Sequence, residues 1–512
     1  MLEKRKAIYD HCGIVAVYTP NPTPIIPLAL RAAGGVQHRG QQGAGLAIFK
    51  NGSFLTYIRQ GLLSEIFKEK LYFRKGEPRF RYDEKTRIVL VHTRYGTSGD
   101  YQETNLQPCV GITESGERVV VIHNGEFIIT DQLKRRVGRT PRGASDTFIF
   151  TQALAKMKGT SWEEKIVKTL SLFKGAFSLA IAVNDSLYLA RDEFGIRPYV
   201  LGKLGNGGFI AASETHALDK IGALVLREIK RGEIIKISKH GLRVLKEGFD
   251  GPGAFCSFEW IYFGLPDSLF STYERNDNGF YPRRWLSGAV FREKCGEIVA
   301  KEAPVENASF VVGVPDSGIP FATGLARGLK APLVYGIKRD HYDPNGLKRL
   351  FQGADLEKIG EKVLGKLSVI ADPGIWKDKV VVLGDDSIVR GNVSREVTRT
   401  ILSLGAKEVH WRVSRINRYF CYLGVSTRTN EELIGATYNL DLKKIAKDIG
   451  ATSVASISNE GLIRALRPNG PMVIPENQSK DIYLANGLCG GCVTGVYPYD
   501  RKGNSYQPKS NF

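Results

Sequence analysis

Two adjacent aspartates, Asp385 and Asp386, follow an apolar run and have the spacing of a ligand-binding pair. The run begins at Val380 and is rich in β-branched side chains, which is typical of a strand buried in a parallel sheet. A small polar turn, Ser387 to Ser394, comes next, and its Gly391 lets the backbone approach a ligand. The helix predicted after it would offer unpaired N–H groups to an anion. The carboxylates would then hold ribose hydroxyls or a hydrated Mg²⁺; an ordinary turn with capping acids is the alternative.

Cys12 is the candidate nucleophile. It opens an apolar run, and a lone cysteine in such a place is most simply a buried small hydrophobe. Five polar clusters that no hydrophobic core requires follow it along the chain. They are Gln37 to Gln41, His92 to Gly99, Asn105 to Pro108, His123 to Gly125, and Ser145 to Thr147.

Four of the seven cysteines could form a closed thiolate site. They are Cys256, Cys421, Cys489 and Cys492. Zinc and an iron–sulfur cluster both fit four such ligands. The odd count and irregular spacing argue against a disulfide framework. Cys109 and Cys295 are left over, and we expect them to be buried structural residues.

The elements that position these residues divide the chain in two. From residue 12 to about 240, short β-rich runs alternate with turns, and two helices are predicted, over Asp146 to Lys158 and Trp162 to Phe173. Two layers of sheet with helices outside would satisfy this pattern. From Trp285 to about Leu466, strands alternate with helices, which implies a parallel sheet with ligands at the carboxyl ends of its strands. Leu333 to Gly336 is among the predicted strands.

Composition limits the functional classes. With 512 residues, 42% of them hydrophobic, the chain should form two or three compact domains. The net charge of +19 is spread along the sequence, so we expect no nucleic-acid partner. No apolar run reaches the length of a membrane span, and Met1 to His11 is charged where a signal peptide would be apolar. These features predict a cytoplasmic protein without a membrane partner.

The Cys12 run and the five polar clusters together resemble the glutamine amidotransferase domain of the amino-terminal-nucleophile (Ntn) type, up to about Thr215. The resemblance implies an αββα sandwich in which the thiol attacks the amide of glutamine. Asn124 and Gly125 would stabilise the oxyanion. The α-amine of a terminal cysteine, with a pKa of roughly 7.7 to 8.0, could serve as the base. By resemblance, Met1 to His11 would then be a propeptide.

The same resemblance assigns the groups that bind free glutamine. Arg94 would face its α-carboxylate and Asp146 its α-ammonium, with Thr97 hydrogen-bonded nearby. Arg39 is either a buried structural arginine or a catalytic one. Two later stretches that also match the family are interpreted as structural. They are Arg191 to Pro198 and Ala212 to Thr215.

The stretch around the two aspartates closely resembles the phosphoribosyl pyrophosphate (PRPP) motif of the type I phosphoribosyltransferases. The resemblance implies a parallel-sheet domain that binds PRPP. The substrate-binding residues would be Asp385, Asp386, Ser387, Arg390, Gly391 and Ser394. Val314 to Gly318 matches a second phosphate-side loop, and Ser317 and the two aspartates correspond to positions that bind Mg²⁺ in relatives.

Phe255 to Ser268 resembles the linker of a narrower family, the glutamine PRPP amidotransferases. In one branch of that family, cysteines at the four places named above hold a 4Fe–4S cluster, and the same branch has a short propeptide. The resemblance implies transfer of ammonia from glutamine to PRPP, the first step of purine synthesis. It further implies a homotetramer inhibited by purine nucleotides. The predicted divisions are a propeptide (1–11), an amidotransferase domain (12–250), a linker (251–284), a phosphoribosyltransferase domain (285–466) and a carboxy-terminal segment with cluster ligands (467–512).

Departures from that family concentrate where relatives carry a mobile lid over PRPP. Ile337 to Leu347 differs from the usual lid, Val393 replaces a threonine, and Arg415 to Arg418 replaces expected prolines. A different basic lid could come from Lys338, Arg339, His341, Lys348 and Arg349. Two alternative functions follow: a divergent glutaminase with altered or lost PRPP chemistry, and a non-catalytic nucleotide sensor. The intact nucleophile set argues against the sensor.

Overall fold

The computed structural model describes residues 12–67, 81–94, 105–138, 140–141, 143–251, 253–276, 279–339, 367–425, 427, 429–467, 472–474 and 482–506. Within these ranges, the amino-terminal half contains thirteen strands in two antiparallel sheets. They are β1 (Gly13–Thr23), β2 (Gly43–Lys50), β3 (Ser53–Gln60), β4 (Thr86–Arg94), β5 (Cys109–Ile112), β6 (Arg118–Phe127), β7 (Gly175–Val183), β8 (Ser186–Arg191), β9 (Val200–Lys203), β10 (Phe209–Ala212), β11 (Leu224–Glu228), β12 (Ile234–Ser238) and β13 (Gly241–Lys246). One sheet has the order β11-β9-β10-β1-β4-β2-β3 and the other β13-β12-β8-β7-β6-β5.

The central strand β1 is buried on both faces, which explains its nearly continuous apolar sequence. Ile14 and Ala16 point into the core between the sheets, where they join Leu90 and Ile122. Val15 and its alternate neighbours point the other way, toward the outer helices. The sheets therefore pack face to face with helices outside.

Six α-helices in the described part of this half cover the sandwich. They are α1 (Ile26–Gly34), α2 (Leu63–Ile66), α3 (Asp131–Val137), α4 (Asp146–Lys156), α5 (Trp162–Leu172) and α6 (Thr215–Asp219). The Ser145 hydroxyl accepts the Phe148 N–H at 3.2 Å and so starts α4, while Ser161 does the same for α5. The αββα sandwich expected from the sequence is confirmed, as are both predicted helices to within two residues.

The carboxy-terminal half is built on a parallel sheet. Its strands, with those of the linker, are β14 (Phe255–Cys256), β15 (Leu269–Asn276), β16 (Gly279–Ser287), β17 (Phe310–Gly313), β18 (Ile337–Arg339), β19 (Leu367–Val369), β20 (Val380–Ile388), β21 (Glu408–Ile416), β22 (Ser453–Ser456) and β23 (Leu488–Cys489). The parallel order is β17-β20-β21-β22. The helices are α7 (Gly288–Glu302), α8 (Gly318–Leu329), α9 (Pro373–Trp376), α10 (Asn392–Ser403), α11 (Ile434–Thr437), α12 (Leu442–Ile449), α13 (Asn459–Leu466), α14 (Ile482–Ala485) and α15 (Gly491–Thr494).

Helices lie on both faces of this sheet, as the alternating sequence predicts. Phe291 of α7 and Phe321 of α8 pack on one face. Val397 of α10 and Ile445 of α12 pack on the other. The parallel-sheet domain is therefore confirmed. Within the described ranges, no helix combines the length and apolar character that a membrane span requires.

Three local predictions were wrong. Leu333 to Gly336 is not a strand: only Leu333 pairs, through an isolated bridge to Val311. The turn predicted from Ser387 begins later, because β20 continues to Ile388 beside its parallel neighbour β21. Helix α10 begins at Asn392, so Ser394 lies in its first turn rather than in a loop.

The crossing of α7 and α8 yields a test of packing. A Cβ on Gly324 would lie 1.8 Å from the Glu293 carbonyl oxygen of α7, whereas a Cβ on Gly34 in α1 would meet no atom within 4 Å. Gly324→Ala should therefore destabilise the protein by about 1–3 kcal/mol or more. Gly34→Ala should be neutral or slightly stabilising because alanine has the higher helix propensity. Thermal unfolding measures both; equal melting temperatures for the two variants would contradict the tight crossing.

Candidate active sites

The predicted nucleophile lies at the end of the sandwich where β1 begins. Cys12 is buried and directly precedes β1, whose Gly13 pairs with Thr93 of β4. The next residue of β4 is Arg94, which is buried beside this end of β1. Its guanidinium donates to the carbonyl oxygen of Asn105. Sheet pairing thus brings together residues that are far apart in sequence.

Asn105 connects this arginine to the start of α4. Its side-chain oxygen accepts the Ser145 N–H at 2.8 Å, and its amide donates to the Gly143 carbonyl at 2.7 Å. Asp146 follows at the first position of α4, and its carboxylate accepts the Phe127 N–H at 2.8 Å. Asn105 therefore connects the two charged residues predicted to bind glutamine: it accepts a hydrogen bond from Arg94 and is bonded to the segment that carries Asp146.

A buried histidine supports Asp146. His123 Nδ1 lies 3.0 Å from the Thr147 hydroxyl and 3.5 Å from the Asp146 carboxylate. Burial lowers the pKa of His123 despite the nearby carboxylate. Gln107 completes the network: its side-chain oxygen accepts the backbone N–H of His123 at 2.6 Å, and its side-chain nitrogen donates to the Thr147 hydroxyl at 3.1 Å. The sequence grouped these residues but did not predict that they fix the aspartate.

The predicted oxyanion pair lies on β6, facing the other sheet. Asn124 is fully buried, and its amide nitrogen lies 3.4 Å from the Ser213 hydroxyl. Its side-chain oxygen has no hydrogen-bond partner among the described residues. Gly125 has a φ of +145°, and a Cβ there would lie 1.9 Å from the Ala176 carbonyl oxygen. No other residue fits at this position, so the backbone N–H next to Asn124 keeps its direction.

Arg39 belongs to a buried ion network, which supports the structural one of its two interpretations. Its guanidinium donates to Glu259 of the linker at 2.8 and 3.0 Å and also to Glu214. Arg197 reaches the same Glu259 at 3.4 Å. All four side chains are fully buried. Sequence reasoning missed this network because its bonded partners lie 62 to 220 residues apart, although the charged residues in matching motifs were a signal.

Glu214 is the most heavily bonded member. It accepts hydrogen bonds from His38 at 2.9 Å and from the Leu265 N–H of the linker at 2.9 Å. Burial alone would raise the pKa of this carboxyl, but the charges of His38 and Arg39 outweigh burial and lower it. A carboxylate is therefore retained between the two halves.

The second site lies at the carboxyl ends of the parallel strands. Asp385 and Asp386 are both buried near the end of β20. The Ser387 hydroxyl donates to Asp386 at 2.6 Å, and Ser317, from the loop after β17, donates to the same carboxylate. Burial raises the pKa of both carboxyls, and the charge of Asp386 raises that of Asp385 further. A bound cation would offset the burial and mutual repulsion of the two carboxylates. Asp385, Asp386 and Ser317 supply oxygen atoms, the ligands that Mg²⁺ prefers, so these three residues fit Mg²⁺.

The loop after β20 fits an anion. Gly391 has a φ of +77° and directly precedes α10, so the first backbone N–H groups of a twelve-residue helix point toward this loop. Ser394 is buried in the first turn. Arg390 is held by Glu432, 3.1 Å from its Nε, and its Nη1 has no partner among the described residues.

The four cysteines predicted as a metal site share one core cluster at the junction. Cys256 and Cys489 are opposite each other on the parallel strands β14 and β23. Arg415 lies 3.8 Å from the sulfur of Cys492, and the fully buried Arg197 donates to the carbonyl of Leu423, two residues after Cys421. Burial raises the pKa of the Cys256 and Cys421 thiols, and the charge of Arg197 opposes this rise. Among the described residues, no three His, Cys, Asp or Glu side chains are placed to hold a single metal ion.

Several predicted features lie outside the described residues. They are Thr97, the proposed propeptide Met1 to His11, and the lid residues His341, Lys348 and Arg349. Of the remaining basic lid residues, Arg339 pairs with Asp316 at 2.5 Å.

The fold and the two sites define a glutamine amidotransferase domain joined to a phosphoribosyltransferase domain. A family model described as "Glutamine amidotransferase domain" matches residues 92–220. The solved structure of glutamine PRPP amidotransferase from B. subtilis, complexed with ADP and GMP, matches with a TM-score of 0.79 and 29% identity, over 97% of this chain and 99% of that one.

Curated relatives give the family. The amidophosphoribosyltransferase of Bacillus subtilis is 30% identical over 97% of this chain and 96% of its own length. That of Mus musculus is 32% identical over 96% of this chain and 98% of its own. The chain belongs to the amidophosphoribosyltransferase family, whose members are glutamine-dependent pentosyltransferases.

The ion network gives a prediction about stability. Glu259→Ala would leave Arg39 and Arg197 buried without their shared counter-charge, which should destabilise the protein by about 3–5 kcal/mol. Asp83→Ala removes the partner of Arg81 in an exposed pair and should change nothing measurable. Denaturant unfolding measures both variants. A Glu259 variant as stable as the Asp83 control would contradict the importance of the network.

Proposed function

We propose that the chain catalyses glutamine-dependent amination of PRPP, yielding 5-phosphoribosylamine, glutamate and pyrophosphate. The observation that carries the proposal is the presence, in one chain, of a buried thiol with its amide and charged neighbours and of a phosphate loop with two buried acids. Each set occurs where its fold places ligands. Family membership over nearly the whole length supports this function.

In the glutaminase half, Cys12 attacks the carboxamide carbon of glutamine. Its own α-amine, freed by removal of Met1 to His11, takes the thiol proton and delivers it to the leaving nitrogen. Asn124 and the Gly125 N–H stabilise the oxyanion. Ammonia leaves, and water hydrolyses the thioester to glutamate.

Arg94 and Asp146 select free glutamine by its two α-substituents. Arg94 is fixed through Asn105, and Asp146 through the Phe127 N–H and His123. Fixed charges of opposite sign match an amino acid zwitterion and reject a peptide-linked glutamine. Thr97 would add a hydrogen bond to this set.

In the phosphoribosyltransferase half, ammonia attacks C1 of PRPP and displaces pyrophosphate. The loop ending in Gly391 and the start of α10 bind the 5-phosphate, with Ser387, Arg390 and Ser394 around it. Asp385, Asp386 and Ser317 would hold Mg²⁺, which neutralises the leaving pyrophosphate when bound. The two acids also accept hydrogen bonds from ribose hydroxyls.

The linker helix Glu259–Phe263 lies between the two sites, so ammonia would pass beside it. On the glutaminase side, His38 Nε2 lies 3.2 Å from the Phe263 carbonyl. On the other side, Arg292 of α7 donates to the Trp260 carbonyl at 3.0 Å, and its charge acts on Asp386. A closed path along this segment would keep ammonia from becoming solvated ammonium.

For the four cysteines we propose a structural 4Fe–4S cluster. The grouping of the thiols, two buried arginines beside them and the resemblance to the cluster-bearing branch support it. Cytoplasmic location, a homotetramer and inhibition by purine nucleotides complete the proposal. The nucleotides in the similar B. subtilis structure are ADP and GMP.

A split-substrate assay tests the two half-reactions. Cys12→Ala should abolish activity with glutamine but keep pyrophosphate release with ammonium chloride, because only the glutaminase is lost. Asp385→Asn with Asp386→Asn should abolish pyrophosphate release with either nitrogen donor and reduce the response to Mg²⁺. Glutamate and pyrophosphate are measured with and without PRPP, on protein whose first residue is fixed by mass spectrometry.

Other outcomes identify the alternatives. Glutamate without pyrophosphate from the unmodified protein would support a glutaminase with another acceptor. Neither product would support a nucleotide-sensing regulator. Full glutamine activity in protein that retains Met1 would contradict the role given to the α-amine.

Metal analysis tests the cysteine assignment. Cys421→Ser should lose iron because one of four thiolates is removed. Cys295→Ala, at a buried cysteine of α7 packed in a different core, should retain iron. Iron and sulfide are quantified beside the visible spectrum. Zinc in the unmodified protein, or full iron content in the Cys421 variant, would contradict the cluster.

A further inference from the structure

A fully buried serine lies between the nucleophile strand and the oxyanion residue. Ser213 follows β10 and forms two hydrogen bonds with Ile14 of β1. Ile14 is two residues after Cys12. The Ser213 N–H donates to the Ile14 carbonyl at 3.1 Å, and the Ile14 N–H donates to the Ser213 hydroxyl at 3.1 Å. The hydroxyl therefore has a fixed position relative to the thiol.

The same hydroxyl meets the amide of Asn124. With the amide nitrogen facing it at 3.4 Å, Ser213 Oγ accepts two N–H groups, while among the described residues Asn124 Oδ1 has no donor although it is fully buried. Rotating the Asn124 side-chain amide by 180° exchanges the positions of Oδ1 and Nδ2 and gives the buried Oδ1 a donor. Oδ1 then accepts the serine hydroxyl proton, and Nδ2 becomes free to donate elsewhere.

We infer that Ser213 is a positioning residue for glutamine hydrolysis, whose hydroxyl donates to Asn124 Oδ1 and so directs Nδ2 toward the oxyanion formed at Cys12. The inference rests on the proposed function of Asn124. Ser213 does not touch the substrate; it acts through the amide. A free asparagine amide could present either its oxygen or its nitrogen to the oxyanion, and only the nitrogen stabilises it.

The surroundings keep Ser213 in place. Its neighbour Glu214 is fully buried and bonded to Arg39, to His38 and to the Leu265 N–H and Ser268 hydroxyl of the linker. Ser213 is thus held by Ile14 on one side and by the bonds of Glu214 on the other, which gives it the rigidity that a positioning residue needs.

A double-mutant cycle on glutamine hydrolysis tests the inference. Ser213→Ala should lower kcat by about 10- to 100-fold with KM nearly unchanged, since one correctly aimed donor contributes about 100- to 1,000-fold. Because Ser213 acts through Asn124, the double variant with Asn124→Ala should be no slower than Asn124→Ala alone. Thr169→Val, which removes a fully buried hydroxyl in α5, is the matched control and should keep full activity.

Two further measurements separate positioning from damage to the fold. The aldehyde analogue of glutamine forms a tetrahedral adduct with the thiol, and its inhibition constant should rise in Ser213→Ala by the same factor as kcat falls. Alkylation of Cys12 by iodoacetamide and ammonia-dependent pyrophosphate release should be unchanged, because neither uses the oxyanion donors.

Each contrary outcome has one meaning. Effects of the two single variants that multiply in the double variant would overturn the inference, since Ser213 would then act without Asn124. Slower alkylation or lost ammonia-dependent activity in Ser213→Ala would overturn it in favour of a structural role. If Asn124→Ala alone leaves hydrolysis unchanged, the oxyanion role in the proposed function fails instead.

Discussion

The buried ion network at the junction is the interaction on which the arrangement of the two sites depends. Arg39 follows the first helix of the sandwich, Glu259 belongs to the linker, and Glu214 lies between β10 and α6. Charges removed from water are stable only when each has partners, and here each carboxylate accepts several donors. A shift of the linker would leave at least one charge unpaired, so the linker has one position on the sandwich.

That position relates two sites built by different kinds of structure. The candidate glutaminase site uses strand ends of an antiparallel sandwich, and Gly125, next to Asn124, has a backbone geometry that only glycine permits. The PRPP site uses a strand, a loop and a helix start of a parallel sheet. In the proposed function, both sites use backbone groups to bind anionic species and side-chain charges to select the substrates. The linker helix contacts supports of both sites through His38 and Arg292.

The sequence was a good guide where local rules act alone. The doubly buried β1 and β20 have the apolar, β-branched composition that such strands require, and Ser145 and Ser161 start their helices as capping residues do. It was a poor guide where distant partners decide. The end of β20 depends on the length of β21, which no local pattern in β20 contains.

The same reason explains the prediction that failed and the contacts that were not foreseen. Arg39 could not be assigned a role without Glu259, 220 residues away, and the contact between Ser213 and Asn124 joins residues 89 apart in sequence. Leu333 to Gly336 has a strand-like composition, but beyond the single bridge at Leu333 the backbone does not continue beside β17. In each of these places the structure depends on contacts between residues distant in sequence, which local composition does not contain.

The parallel pairing of β14 with β23 has a consequence for biosynthesis. Ser257 and Cys489, which share a 2.8 Å hydrogen bond, are 232 residues apart, and Cys492 follows shortly after Cys489. During translation, Cys256 therefore leaves the ribosome long before Cys489 and Cys492. A chain terminated before Cys489 would hold only Cys256 and Cys421, so the completed thiol set distinguishes chains that reach Cys492 from shorter fragments.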